Sequence, residues 1–216
     1  LVAPLGVELR MLDEGQRRVF LSAWLGDALA EAVEAGMDAA QRALCATPFA
    51  ARLLVDAVAA NGTPPRGAAE LVTGLVRRAL AREVERGGPL AEPGRVLEAR
   101  DLRQIALDRW AGPADLPSRG ALVPALERLG WHMQAGGRAA GGAQVRLARA
   151  LALAAIGVDD RAGPIVDAGL ALGLLDEDPA TDALCFSHQR VQEYFAGRRL
   201  ARTVDAACMA APWRQA

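Results

Sequence analysis

Lysine is missing altogether from this 216-residue chain, whose 25 basic side chains are all arginine. A Walker A loop needs a lysine to reach the terminal phosphates, and Schiff-base or lysine-general-base chemistry needs the amine itself. None of these can reside here, and the chain cannot cradle a triphosphate alone. Cysteine is scarce. Cys45, Cys185 and Cys208 stand far apart, lack C-x-x-C spacing and are odd in number, so neither a disulfide framework nor a zinc site is expected, and a reducing, cytoplasmic setting is. Long apolar runs are absent too: residues 43–51 and 150–158 are about half of the ~18 that a spanning helix requires, and no membrane partner is expected. The formal charge of −1 gives no basic surplus to draw the chain to a polyanion. What is present is 52% apolar residues in a length suited to one large or two small domains. The chain opens on Leu1 rather than methionine, so a segment of a longer polypeptide is expected.

Helical signals dominate the order of the chain. Asp13 with Gln16 predicts a capping box, and Val19, Phe20, Ala23 and Trp24 form a stripe expected to be the buried face of the helix that follows. Short helices are predicted over 27–35 and 38–46. Pro48 is placed to open the next helix at its first position, with Phe49, Leu53, Leu54 and Ala57 continuing the core until the Asn61-Gly62-Thr63-Pro64-Pro65 break. A long helix spans 66–86, its apolar positions Leu71, Val72, Leu75, Val76, Ala79 and Leu80 recurring with helical period. Further helices are predicted over 101–110, from a Ser118 cap through Met133, over 144–156, and from Asp159-Asp160 through Leu174. Residues 174–175 and 183–186 read as a short strand pair around an acidic turn. A last helix then starts from a Ser187 cap, with Phe186 and Val191 as a hydrophobic staple.

These last residues resemble a known signature. Phe186-Ser187-His188, then Gln192-Glu193-Tyr194-Phe195-Ala196 and Leu200, is similar to the F-x-H-x-x-x-Q-E-Y-F-A-A-x-x-L run of NACHT-type STAND NTPases. Gly173-Leu174-Leu175 resembles that family's helix end before the wing. Leu44-Cys45-Ala46-Thr47-Pro48-Phe49 resembles its proline-containing segment after the helical lid. Pro65-Arg66-Gly67 is similar to its Leu-Pro-x-x-Arg run, with Pro64 where the family has leucine. The resemblance implies a mainly α fold: a helical, AAA+-lid-like domain over 13–97, then a winged-helix domain with a short β-hairpin over 98–205. Residues 1–12 would end an upstream nucleotide-binding domain or linker, and 206–216 would begin a downstream region.

The resemblance further implies that Pro48 packs against adenine and that His188 reaches the β-phosphate of ADP. The P-loop, Walker B carboxylates and Mg would belong to the upstream nucleotide-binding domain of the same polypeptide, a homo-oligomer when active, with a role in bacterial defence or signalling. A histidine at a helix start lies beside free backbone N–H groups and the positive end of the dipole, a natural anion site. One charge-assisted hydrogen bond there contributes on the order of 1.5–3 kcal/mol, enough to bias a two-state equilibrium by about one to two powers of ten. His132 is expected to be structural or solvent-facing, and Phe186, Tyr194 and Phe195 to be core anchors. The competing reading is a helical and winged-helix adaptor that binds nucleic acid or a protein. Arg190, Arg198, Arg199 and Arg202 on one helix favour it. The apolar 159–175 helix, poor in the basic and amide side chains that groove readout requires, opposes nucleic acid.

Overall fold

A computed structural model describes residues 11–137, 145–157 and 160–203. The described residues are mainly helical with one small three-stranded antiparallel sheet. The chain divides into two compact units, Leu1–Leu75 and Val76–Ala216, the boundary falling inside one helix.

The first unit holds α1 (Glu14–Leu25), α2 (Asp27–Gly36), α3 (Ala39–Leu44), α4 (Pro48–Asn61) and the start of α5 (Ala68–Glu85). Reciprocal capping boxes start α1 and α3: Asp13 Oδ1 accepts from the Gln16 amide at 2.8 Å and Asp38 Oδ1 from the Gln41 amide at 2.7 Å, while each glutamine side chain accepts in return. Thr47 caps α4, accepting from the Ala50 amide at 3.2 Å, and Pro48 opens it as predicted. Gly62, left-handed at φ 72°, ends it. Leu53, Leu54, Val58, Val33 and Leu21 form the core of this unit, with Phe20 and Phe49 packed against it.

The expected buried face of α1 is corrected. Val19 and Trp24 are 71% and 55% exposed, whereas the inward positions are Leu21 and Arg17. Arg17 turns inward because Glu34 on α2 meets it: Nε and Nη2 reach the two carboxylate oxygens at 2.7 and 3.1 Å, a bidentate pair that offsets the burial of both charges. Outside, the Trp24 ring carries the Arg52 guanidinium at 4.0 Å.

The second unit continues α5 and adds a 3-10 turn (Pro89–Ala91), α6 (Ala99–Ala106), α7 (Leu122–Gly137), β1 (Leu147–Ala148), α8 (Arg149–Ile156), α9 (Ala162–Ala171), β2 (Leu175–Asp178), β3 (Ala183–Phe186) and α10 (Gln189–Thr203). Helix α6 is shorter than the predicted 101–110. Ser118 does not start α7, which begins four residues later. Asp101, buried on α6, holds that approach instead: its carboxylate accepts from the amides of Arg119 and Gly120, at 3.3 and 2.6 Å, as well as from Glu98. Gly120 is required there, since a Cβ would stand 2.5 Å from the Val96 carbonyl oxygen.

The sheet order is β1-β3-β2, with Leu147 opposite Leu184 and Leu175 opposite Phe186. Strand β1 extends the expected two-strand hairpin, and it takes the start of what the sequence predicts as one helix over 144–156. Pairing with β3 gives the Leu147 and Ala148 backbone its hydrogen bonds, a tertiary partner that overrides local helical preference. The predicted start of α9 at Asp159 lies outside the described residues. Its end is a Schellman motif, in which Gly173 donates to the Leu170 carbonyl and Leu174 to that of Gly169, so that buried Leu174 and Leu175 turn straight into β2.

Candidate functional site

The head of α10 is built from the end of β3. Phe186 is fully buried and stacks on Phe195 with ring centroids 5.7 Å apart, and Tyr194 meets Phe195 edge-on at 5.2 Å. The aromatic residues of the signature thus pack, as expected. The Ser187 amide donates to the Leu174 carbonyl at 3.0 Å, which fixes the turn between strand and helix. Helix α10 begins at Gln189, not after a Ser187 cap. His188 takes the cap position: its carbonyl accepts from the Val191 and Gln192 amides, and its Nδ1 accepts from the Arg190 amide at 3.1 Å.

That last bond decides the chemistry of the ring. An Nδ1 that accepts carries no proton, so the neutral imidazole carries its hydrogen on Nε2 and presents that nitrogen as a donor. Burial, and then the nearby Arg190 charge, hold the His188 pKa below its ordinary value, with Glu193 opposing them. Glu193 is itself engaged, accepting from Gln189 and from Arg190, each at 3.0 Å. These bonds tie it to the side chains at the start of α10.

Pro48, the other residue singled out in the sequence, sits half-buried at the first turn of α4 in the first unit, whereas His188 belongs to the second. Beside Pro48, the Cys45 thiol is pushed up to about 11, mainly by burial, so it is protonated at neutral pH and no nucleophile. His132 is exposed on α7. Cys208 lies outside the described residues. Among the described residues no three His, Cys, Asp or Glu side chains converge as metal ligands, and no helix is long and apolar enough to cross a membrane.

Packing of α7 against α10 supplies what the sequence alone did not reveal. Glu127 on α7 is buried, and both Arg198 and Arg202 of α10 turn onto it, at 3.0 and 3.3 Å. Arg198 also donates to the Ala114 carbonyl, and Arg77 donates to those of Gly112 and Asp115, so two guanidiniums clamp the 112–115 turn. Gln192, on the same side of α10, donates to Gln134 of α7 at 3.0 Å. The arginines that looked available for phosphate backbone are therefore largely committed internally, Arg190 being paired with Glu193. A signal was present in the sequence: Val123, Glu127, Gly130 and Gln134, at spacings of four, three and four, put two polar residues and a glycine on one helical stripe.

Comparison with known proteins finds no family model, no curated protein and no solved structure that matches the chain.

Proposed function

We propose that this chain is the regulatory helical and winged-helix portion of a NACHT-type STAND ATPase, which holds ADP in a closed, inactive state and permits nucleotide-dependent activation and oligomerisation. The element order of the second unit supports this reading. A helix, a strand, two helices, two strands and a helix, with sheet order β1-β3-β2, follow one another in the order that a winged helix and then the signature-bearing helix would take. The observation that carries the reading is His188 at the cap of α10, its Nδ1 accepting from the Arg190 amide so that the neutral ring is a donor through Nε2. Such a group suits a phosphate oxygen, and the anion would in turn favour protonation of the ring. Pro48 is the proposed adenine contact. The nucleotide-binding domain with its P-loop and Mg lies, on this reading, ahead of Leu1 in the same cytoplasmic polypeptide. Service in bacterial defence or signalling belongs to the same proposal.

Nucleic acid is the weaker partner, because Arg198 and Arg202 neutralise Glu127 and α9 offers a groove few polar side chains. In the parent polypeptide, His188→Ala is expected to lower the ADP retained through purification several-fold and to raise the oligomeric fraction before nucleotide exchange. Unchanged ADP content and an unchanged resting state would overturn the latch. Salt-dependent binding of duplex DNA by residues 1–216 would favour the adaptor reading in its place.

A further inference from the structure

Helix α9 borders a cleft of about 100 Å³ that the nucleotide reading does not use. Leu90 and Val96 line it from the 89–97 loop, and Pro164, Ala168 and Ala171 line it from α9. Small residues on the helix leave the space open. The loop wall is held in place by the 3-10 turn at Pro89–Ala91, by a bridge between Pro93 and Leu97, and by the Gly94 amide donating to the Leu97 carbonyl at 2.8 Å. The cleft is thus formed before anything occupies it, which reduces the ordering cost of binding. Two opposite charges also line it, Arg95 on the loop and Asp167 on the helix. Each has a partner already: Arg95 pairs with Glu92 at 3.2 Å and Asp167 with Arg149 at 3.5 Å. Arg95 and Asp167 are both exposed in these pairs, which are weak and exchangeable with an incoming charge.

Volume and charge together select the occupant. A cavity of about 150 Å³ holds a benzene ring, so this cleft takes roughly one branched aliphatic side chain. Burying a single such chain gives a free small molecule a Kd weaker than about 1 mM, so retention needs a larger ligand that carries the side chain as an anchor. We propose that the cleft between α9 and the 89–97 loop is a docking site for a protein segment presenting an aliphatic anchor flanked by an acidic residue, read by Arg95, and a basic residue, read by Asp167. This site is independent of nucleotide and of His188. It also gives a role to the outward side of α9, a helix that is too apolar to read a DNA groove.

The test uses residues 1–216 labelled with ¹⁵N and two blocked peptides, Ala-Glu-Leu-Lys-Ala and Ala-Lys-Leu-Glu-Ala, titrated while the amides of Val96 and Ala168 are followed. One order is expected to bind at least about threefold more tightly than the other. Replacing its leucine by alanine should abolish saturable shifts, and so should Ala171→Phe, which fills the cleft from an exposed position. The double exchange Arg95→Glu with Asp167→Arg should invert the preference for order, with the dispersion of the remaining amides reporting an intact fold. Equal binding of both orders, equal binding of the alanine peptide, insensitivity to Ala171→Phe, or no saturable shift at millimolar peptide would each overturn the proposal.

Discussion

Glu127 on α7 and Arg198 on α10 lie 3.0 Å apart, carboxylate to guanidinium, with the glutamate side chain only 1% exposed. A charge so deeply placed is tolerated because Arg198 and Arg202 reach it together, and removing Arg198 leaves only the more exposed Arg202 to offset the cost of burial. Arg198→Ala is expected to lower stability by about 3 kcal/mol. The paired replacement Glu127→Leu with Arg198→Met should fall far closer to the native value, because no unpaired buried charge remains, Arg202 being 41% exposed. Urea midpoints of the three proteins check this. A double variant as unstable as the single one would contradict it.

Gly130 permits the same two helices to approach. A Cβ there would stand 3.0 Å from the Ala196 amide nitrogen and from Phe195 Cβ, and 3.1 Å from the Gln192 carbonyl oxygen, all parts of α10 that cannot swing aside. Gly130→Ala should therefore cost about 1–3 kcal/mol despite the gain in helix propensity. Gly197, on α10 with open space around it, provides the contrast: Gly197→Ala should stabilise by roughly 0.5–1 kcal/mol. Thermal midpoints moving in opposite directions are the expected result.

On α1 the outward and inward positions are separable by mutation. Val19→Ser is expected to change stability by less than about 0.5 kcal/mol, as at an ordinary surface position. Leu21→Ala, at a fully buried site, should cost about 2–5 kcal/mol. The stripe read from the sequence places Val19 on the buried face and leaves Leu21 out of it, so equilibrium unfolding of the two variants distinguishes the arrangements.

His188 imposes a pH dependence with a definite sign. Its folded-state pKa lies below the ordinary 6.5, so as pH falls the unfolded chain takes up the proton first. The contribution to stability is complete above about pH 6.5, declines between that value and the lower folded pKa, and levels off beneath it. His188→Gln should flatten this part of the profile. Urea midpoints near pH 8, 6.5 and 5 measure the effect, and an identical slope in the variant would refute the assignment.

Much of the fold was legible because it is locally encoded. Asp13 with Gln16, Thr47 before Pro48, and Gly62 each act on backbone groups within a few residues, so their caps and breaks stand where the sequence put them. The Leu71 to Leu80 repeat likewise places α5, with five of its six apolar positions buried. At the candidate site, the aromatic packing of Phe186 and Phe195 was legible in the same manner, while the cap itself shifted from Ser187 to His188. A one-residue shift at a helix start lies below what spacing can resolve.

The sequence by itself determined the helical elements, the short strand pair, and the exclusion of lysine-dependent phosphate chemistry from these 216 residues. Only tertiary structure decided the rest. It turned Arg17 inward and Trp24 outward, added β1 to the sheet, and drew Arg198 and Arg202 onto Glu127. Each of those outcomes depends on a partner distant along the chain: Glu34 for Arg17, β3 for β1, and α7 for the α10 arginines. Hydrophobic period registers which residues can be buried, but a buried charge is stable only where its counter-charge arrives, and that meeting is a property of the folded chain.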